Sequence, residues 1–207
     1  MQLIGEVTCR VETDRKLVAL TFDDGPTPEG VDAVLAELGP RGINATFFLI
    51  GNRMEKFPGQ AERLIAAGHE LGNHTYTHQR NIGRSQDFYA GEIAKTDALL
   101  KRAGSDTKLF RPPFGKRLIG LPLEVERAGY RTIMWDVEDQ PEKFAQASAF
   151  AQDILARVRP GSIILIHPMY RHNQVARDAL PIVLDGLQAQ GYEVVTVSEL
   201  LAQAGRR

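Results

Sequence analysis

One cysteine, Cys9, stands in 207 residues. A single thiol cannot close an internal disulfide and has no companion for a thiolate metal cluster. The chain therefore depends on a hydrophobic core, and it is long enough to build one. Redox compartment stays open, because cysteine-poor folds persist in either setting. Long apolar runs are also missing. Nothing approaches the ~20 residues that cross a bilayer, and Glu6, Arg10, Glu12, Asp14 and Arg15 interrupt any secretory pattern. Neither sign of charge dominates: the formal net charge is −1, so no general field attracts nucleic acid or an anionic membrane. Low-complexity stretches, internal repeats and long linkers are absent, which points to one continuous domain.

What the chain does contain is an alternation of β-prone apolar runs and helix-period segments. Leu17–Phe22 reads as a buried strand, followed by a helix with Val31, Val34, Leu35 and Leu38 on one face. Ala45–Ile50 is a second strand, a helix around Leu64 and Ile65 stops near Gly68, and His69–Gly72 is a short third strand. A longer helix carries Tyr89, Ile93, Leu100 and Ala103, and strands near Leu109–Phe110 and Thr132–Trp135 follow. The clearest helical stripe is Ala147, Phe150, Ala151, Ile154, Leu155 and Val158, broken by Gly161 ahead of a strand at Ile163–Ile166. The last strand is Val194–Val197, with Ser198 as the cap of a final short helix. Continuous apolar strands alternating with helices predict an α/β fold whose parallel sheet is covered on both faces. Periodicity does not separate a closed barrel from an open sheet. Both place their sites at the carboxyl ends of strands, where this chain has its polar clusters.

Four clusters stand out. Thr21-Phe22-Asp23-Asp24-Gly25-Pro26 ends the first strand, and adjacent carboxylates there need a metal, a cation or solvent. Neighbouring side chains of an extended chain diverge, so one can hold a metal while the other accepts a proton; the plain alternative is a polar turn. His74-Thr75-Tyr76-Thr77-His78 sets two imidazoles at i and i+4, which share a face on a helical turn. Two histidines and one carboxylate leave coordination positions open for water and substrate. Asp24 is a candidate third ligand, and spacing does not select it over Asp23. The alternative is two surface histidines that happen to be close. His69, nearer the strand interior, is assigned a structural role. In Arg111-Pro112-Pro113-Phe114-Gly115 the prolines stiffen the loop, Arg111 can hold a carboxylate, and the Phe114 N–H is left as a donor. A rigid turn with a surface arginine is the alternative. His167 ends Leu165-Ile166-His167, and its ordinary pKa suits a proton donor near neutrality, against the alternative of a structural histidine. His172 is expected to face solvent.

Together and in this order, the clusters resemble the polysaccharide deacetylases of carbohydrate esterase family four, the NodB (chitooligosaccharide-deacetylase) homology domain, from about Val18 to Leu201. The resemblance implies a single domain built as a distorted (β/α) barrel of about seven parallel strands. It implies a divalent metal, zinc first with cobalt or nickel as substitutes, held by Asp24, His74 and His78. It also implies Asp23 as catalytic base, Arg111 as the residue orienting it, and His167 as general acid. Phe114 would serve the oxyanion through its N–H, and Leu165 and Trp135 would join it in binding substrate. The implied reaction removes N-acetyl groups from an N-acetylglucosamine-containing glycan and releases acetate. The alternatives are a same-fold amidase acting on another non-peptide C–N bond and an inactive carbohydrate-binding domain. Many members carry an Asp-Trp pair that supports the acid and shapes the acetyl pocket; this chain instead reads Trp135-Asp136-Val137-Glu138-Asp139-Gln140-Pro141 and has no second tryptophan. Asp136, Glu138 and Asp139 are the candidates to support His167, with Asp139 preferred. Phe114 replaces a frequent tyrosine, which a backbone role tolerates. Members often carry a signal or anchor ahead of this domain, implying an extracytoplasmic or cell-envelope setting that this chain's own residues do not fix.

Overall fold

The computed structural model describes residues 7–80, 82–116 and 120–204. Its strands are β1 (Val7–Thr8), β2 (Leu17–Asp23), β3 (Thr46–Leu49), β4 (Glu70–Asn73), β5 (Leu109–Phe110), β6 (Arg131–Ile133), β7 (Val137–Glu138), β8 (Ile163–Ile166) and β9 (Glu193–Val195). Its helices are α1 (Pro28–Leu38), α2 (Gly51–Lys56), α3 (Gln60–Ala66), α4 (Gln86–Arg102), α5 (Gly120–Arg127), α6 (Ala147–Arg157), α7 (Gln174–Ala189) and α8 (Val197–Leu201). The strands pair in the order β1-β6-β5-β4-β3-β2-β8-β7, with β9 also on β2. Every pairing between these strands is parallel. The sheet curls into a half-barrel, so the expected α/β distorted barrel holds.

Strand parity explains how the sheet feeds its site. On β2 every residue is buried, but alternate residues face different environments. Val18, Leu20 and Phe22 join the large cluster under the helices, while Leu17 and Ala19 belong to the smaller cluster inside the curl. Thr21 and Asp23 continue that inner row towards the strand's carboxyl end. On β8, Ile164 and Ile166 pack outward, leaving Ile163 and Leu165 on the inner row. On β3, Phe47 and Leu49 pack outward and Phe48 inward.

Several elements differ from the expectation. Two-residue strands β1 and β7 are too short to carry a periodic signal. Trp135 lies beyond β6, and β9 ends at Val195 because Thr196 begins a helix. The cap of α8 is Thr196, not Ser198: its hydroxyl accepts from the Glu199 N–H and Glu199 reaches back to its backbone. Helix α6 stops at Arg157, and Val158 is already extended, ahead of Gly161. Helices α5 and α7 carry signals the sequence reading does not resolve. Helix α7 contains Pro181, a residue that ordinarily marks a break at a cost of about 3 kcal/mol. Six buried residues at helical spacing, Ala176, Ala179, Leu180, Val183, Leu184 and Leu187, outweigh it.

Candidate active site

Asp23 and Asp24 do not diverge as adjacent strand residues would. Asp24 leaves the strand with φ 72°, and both carboxylates line one cavity of about 400 Å³. His74 and His78 line it too, yet not from a helical turn: Thr75 (φ 66°) and His78 (φ 57°) are left-handed residues of the loop after β4. Local bonds hold that loop. The Thr75 N–H donates to Asn73 Oδ1 at 2.9 Å and the His78 N–H to Thr75 Oγ1 at 3.2 Å. Helix α2 ties the two loops together. The Ile50 N–H donates to Gly25 O, the Gly51 N–H to Thr75 O and the Asn52 N–H to Tyr76 O, at 3.0, 3.0 and 2.9 Å. Phe114 (φ 58°) completes the four non-glycine residues with positive φ among the described residues, and all four lie at this cavity or in the loop that carries His74 and His78. Such backbone costs of order 1–3 kcal/mol each and persists where surrounding bonds over-determine it.

The donor set fits a divalent metal. One ligand atom from each of Asp24, His74 and His78 lies within 4.8 Å of the others. The Nε2 atoms of His78 and His74 stand 3.3 and 3.8 Å from Asp24 Oδ1, against the roughly 3.4 Å separating two ligands of a tetrahedral zinc-type centre. His74 Nδ1 is 2.7 Å from the Arg111 carbonyl, which fixes it as the N–H and turns the Nε2 lone pair towards Asp24. Burial, reinforced by His74, lowers the His78 pKa to about 4 despite Asp24 and Asp23, so that ring is neutral.

Arg111 is fully buried rather than on the surface. Its Nη1 donates to Asp23 Oδ1 at 2.6 Å and to Thr21 Oγ1 at 2.8 Å, and Nε and Nη2 reach the carbonyls of Ile133 and Met134. The guanidinium lies 4.1 Å from the Phe48 ring centroid. Burial alone would raise the Asp23 pKa; Arg111, helped by His74 and His167, overrides it and holds the carboxyl below its ordinary value. One residue thus keeps Asp23 ionised through its side chain and orients His74 through its carbonyl. Arg111→Leu is expected to cost about 3–5 kcal/mol near neutral pH, because a buried carboxylate loses its partner. Without Arg111 the folded-state pKa of Asp23 rises above the unfolded value, so this deficit should shrink as pH falls towards 4. Urea unfolding at pH 7.5 and pH 4.5 checks it, and an equal deficit at both values would remove Asp23 as the cause.

On the opposite wall, Asp139 grips His167 twice. The His167 N–H donates to Asp139 Oδ2, and His167 Nδ1 meets Oδ1, both at 2.8 Å. Asp139 takes this place because its own N–H donates to Leu165 O at 3.0 Å, extending the β7–β8 ladder by one residue. Asp136 instead caps the approach to β8, accepting from the Ile163 N–H and the Ser162 hydroxyl. Glu138 accepts from the Trp135 indole at 2.7 Å. Burial acts to lower the His167 pKa, but Asp139, with Asp23 and Asp24 behind it, pushes it up to about 9. Leu165, Trp135 and Phe114 also line the cavity, and Phe114 is 54% exposed at its mouth. His69 lies outside this site. It is buried against Phe47 and accepts from the Ala45 N–H. His172 is exposed and stacks on Tyr170 at 5.5 Å.

A curled parallel α/β sheet with a two-histidine, one-carboxylate cluster at its carboxyl edge, flanked by an ion-paired aspartate and an aspartate-supported histidine, defines the class. The family model described as polysaccharide deacetylase matches residues 10–133, more than half of the chain. A peptidoglycan-N-acetylglucosamine deacetylase of Bacillus cereus is 35% identical over 192 residues, covering 92% of this chain and 70% of the relative. A second deacetylase so described from that organism is 33% identical over 199 residues, covering 95% and 93%. Among solved structures, the Bc1960 peptidoglycan N-acetylglucosamine deacetylase superposes with a TM-score of 0.90 at 33% identity, over 98% of this chain and 95% of its own. BA3943, a CE4 family pseudoenzyme from Bacillus anthracis, superposes with 0.87 at 28%, over 95% and 69%. The chain belongs to the polysaccharide deacetylase family.

Proposed function

We propose that the chain is a divalent-metal-dependent N-deacetylase of an N-acetylglucosamine-containing glycan, with Asp24, His74 and His78 as the metal ligands and zinc as the first-choice ion. The observation that supports this reading is convergence: the three-residue cluster, Asp23 and His167 line one cavity, with Arg111 holding Asp23 and Asp139 holding His167 from behind its wall. When bound, a divalent ion at such a site polarises a carbonyl and lowers the pKa of water.

The remaining steps belong to the chain itself. Asp23, kept ionised by Arg111, takes a proton from the attacking water. The backbone N–H of Phe114 donates to the developing oxyanion, a contribution worth roughly 3–4 kcal/mol per donor in comparable sites. His167, whose Nδ1 is committed to Asp139, presents Nε2 and protonates the departing nitrogen. An amine is a poor leaving group until that transfer occurs. The products are acetate and a free glucosamine unit.

The acid role gives a pH prediction. His167 holds its proton up to about 9, so turnover that needs this proton should persist through neutrality and fall as pH rises past that value. Asp139→Asn removes the largest upward influence on His167. The alkaline limb of kcat should then move down towards the ordinary histidine value of about 6.5. A pH–rate profile of the metal-saturated variant reads the shift, and an unmoved limb would sink the assignment.

Acetate release from N-acetylglucosamine oligomers tests the whole reading, using metal-stripped protein before and after addition of zinc, cobalt or nickel. Restored release is expected. Metal binding without release would favour another C–N substrate. The likeness to a CE4 pseudoenzyme keeps a second reading in view, a glycan-binding domain without turnover. Oligomer binding that neither needs metal nor yields acetate would favour it.

A further inference from the structure

One residue on the wall of the catalytic cavity, Glu138, takes no part in the chemistry above. Apart from the metal-type cluster, Asp23 and His167, the wall consists of Phe114, Trp135, Leu165 and Glu138. On the deacylase reading, from which this inference starts, the amide carbonyl lies between the cluster and Phe114, and the nitrogen lies at His167. The acyl substituent is then left to Trp135, Leu165 and Glu138.

Glu138 is opposite Leu165 in the β7–β8 register, so both side chains leave the same face of the sheet. The carboxylate is anchored. The Trp135 indole donates to Oε2 at 2.7 Å, and Arg157 holds the Glu138 backbone carbonyl at 2.8 Å. Trp135 is itself confined, with Arg111 5.4 Å from its ring and Gly115 so close that a Cβ there would lie 3.1 Å from it. Among the described residues the protein directs that one hydrogen bond at the Glu138 carboxylate and pairs no cation with it, leaving Oε1 free to accept.

A methyl group pressed on Oε1 would strip it of water and give nothing back. A hydroxyl in the same place would donate to it. We propose that Glu138 selects the acyl group: the pocket prefers N-acyl substituents that end in a hydrogen-bond donor, of which glycolyl is the smallest, over apolar groups of equal size. Acetyl, shorter by one heavy atom, leaves room for a water at Oε1 and remains a substrate. The chemistry is unchanged hydrolysis. Water adds to the carbonyl, the C–N bond breaks, the amine leaves with a proton and the acid leaves as glycolate.

Glucosamine oligomers bearing N-acetyl, N-glycolyl or N-propionyl groups test this by kcat/KM with the wild type, Glu138→Gln and Glu138→Leu. The wild type should favour glycolyl over propionyl by roughly ten- to hundredfold, the range supplied by a hydrogen bond to a charged acceptor. Glu138→Gln keeps an acceptor for Trp135 but loses the second oxygen, so its preference should be smaller. Glu138→Leu should prefer propionyl. Equal wild-type rates on the two, or an unchanged ratio in Glu138→Leu, would overturn the proposal. A binding measurement separates it from the deacylase reading. Trp135 is the sole tryptophan, so its fluorescence can follow titration of the metal-loaded proteins with glycolate and with propionate. Tighter glycolate binding, lost in Glu138→Leu, supports Glu138 even where no oligomer is cleaved, an outcome that defeats the deacylase reading alone. Equal binding of the two acids defeats the proposal.

Discussion

Asp23→Asn is expected to retain one equivalent of metal and lose at least roughly 10²-fold in turnover, the effect typical of removing a general base. The carboxylate that disappears is the one held by Arg111 at 2.6 Å. It differs from Asp24, which faces both His74 and His78. Asparagine preserves the shape of the side chain and can still accept from Arg111, so the fold should survive. It cannot take a proton from water at neutral pH. Metal content by elemental analysis, set beside acetate release, separates binding from chemistry. Wild-type turnover in the purified variant would exclude Asp23 as the base.

Asp24→Ala should lose both. Two imidazoles remain, but the only anionic member of the cluster is gone, and stoichiometric metal should fall away at concentrations that saturate the wild type. Turnover should drop with it by about 10³-fold or more, since Lewis-acid stabilisation supplies several kcal/mol. Excess zinc should rescue part of the rate if loss of affinity is the cause. Full metal occupancy in Asp24→Ala would remove Asp24 from the ligand set and return the choice to Asp23, whose Oδ2 is 3.7 Å from His74 Nε2.

These two aspartates also mark where sequence reading succeeds and where it ends. The buried strand at Leu17–Phe22, the carboxylates at its carboxyl end and the position of His167 after the strand at Ile163–Ile166 are all legible in the apolar pattern. The conformation of His74–His78 is not. Spacing suggests a helical turn, whereas left-handed Thr75 and His78 are imposed by Asn73 and by the start of α2, which lies far off in sequence. Arg111 reads locally as either a carboxylate holder or a surface arginine, and its bonds to Asp23 across 88 positions and to Thr21, Ile133 and Met134 accompany its complete burial. Choosing Asp139 over Asp136 and Glu138 needs the register of a two-residue strand, which no periodic signal can supply.

The start of α2 carries a consequence for metal choice. Its three successive amides bind the Asp24 loop on one side and the histidine loop on the other. They can do so because Gly51 lacks a side chain: a Cβ there would lie 2.5 Å from Thr96 Oγ1 and 2.6 Å from Tyr76 Cδ2. The loop that carries Asp24 and the loop that carries His74 and His78 are thus hydrogen-bonded to the start of one short helix. On the proposed ligand set, the spacing between Asp24 and the two histidines, and with it the size of ion that would fit, would be gauged by a short helix outside the cluster. Retuning the centre for another metal would then begin by reshaping the seat of α2, with the ligands themselves left in place.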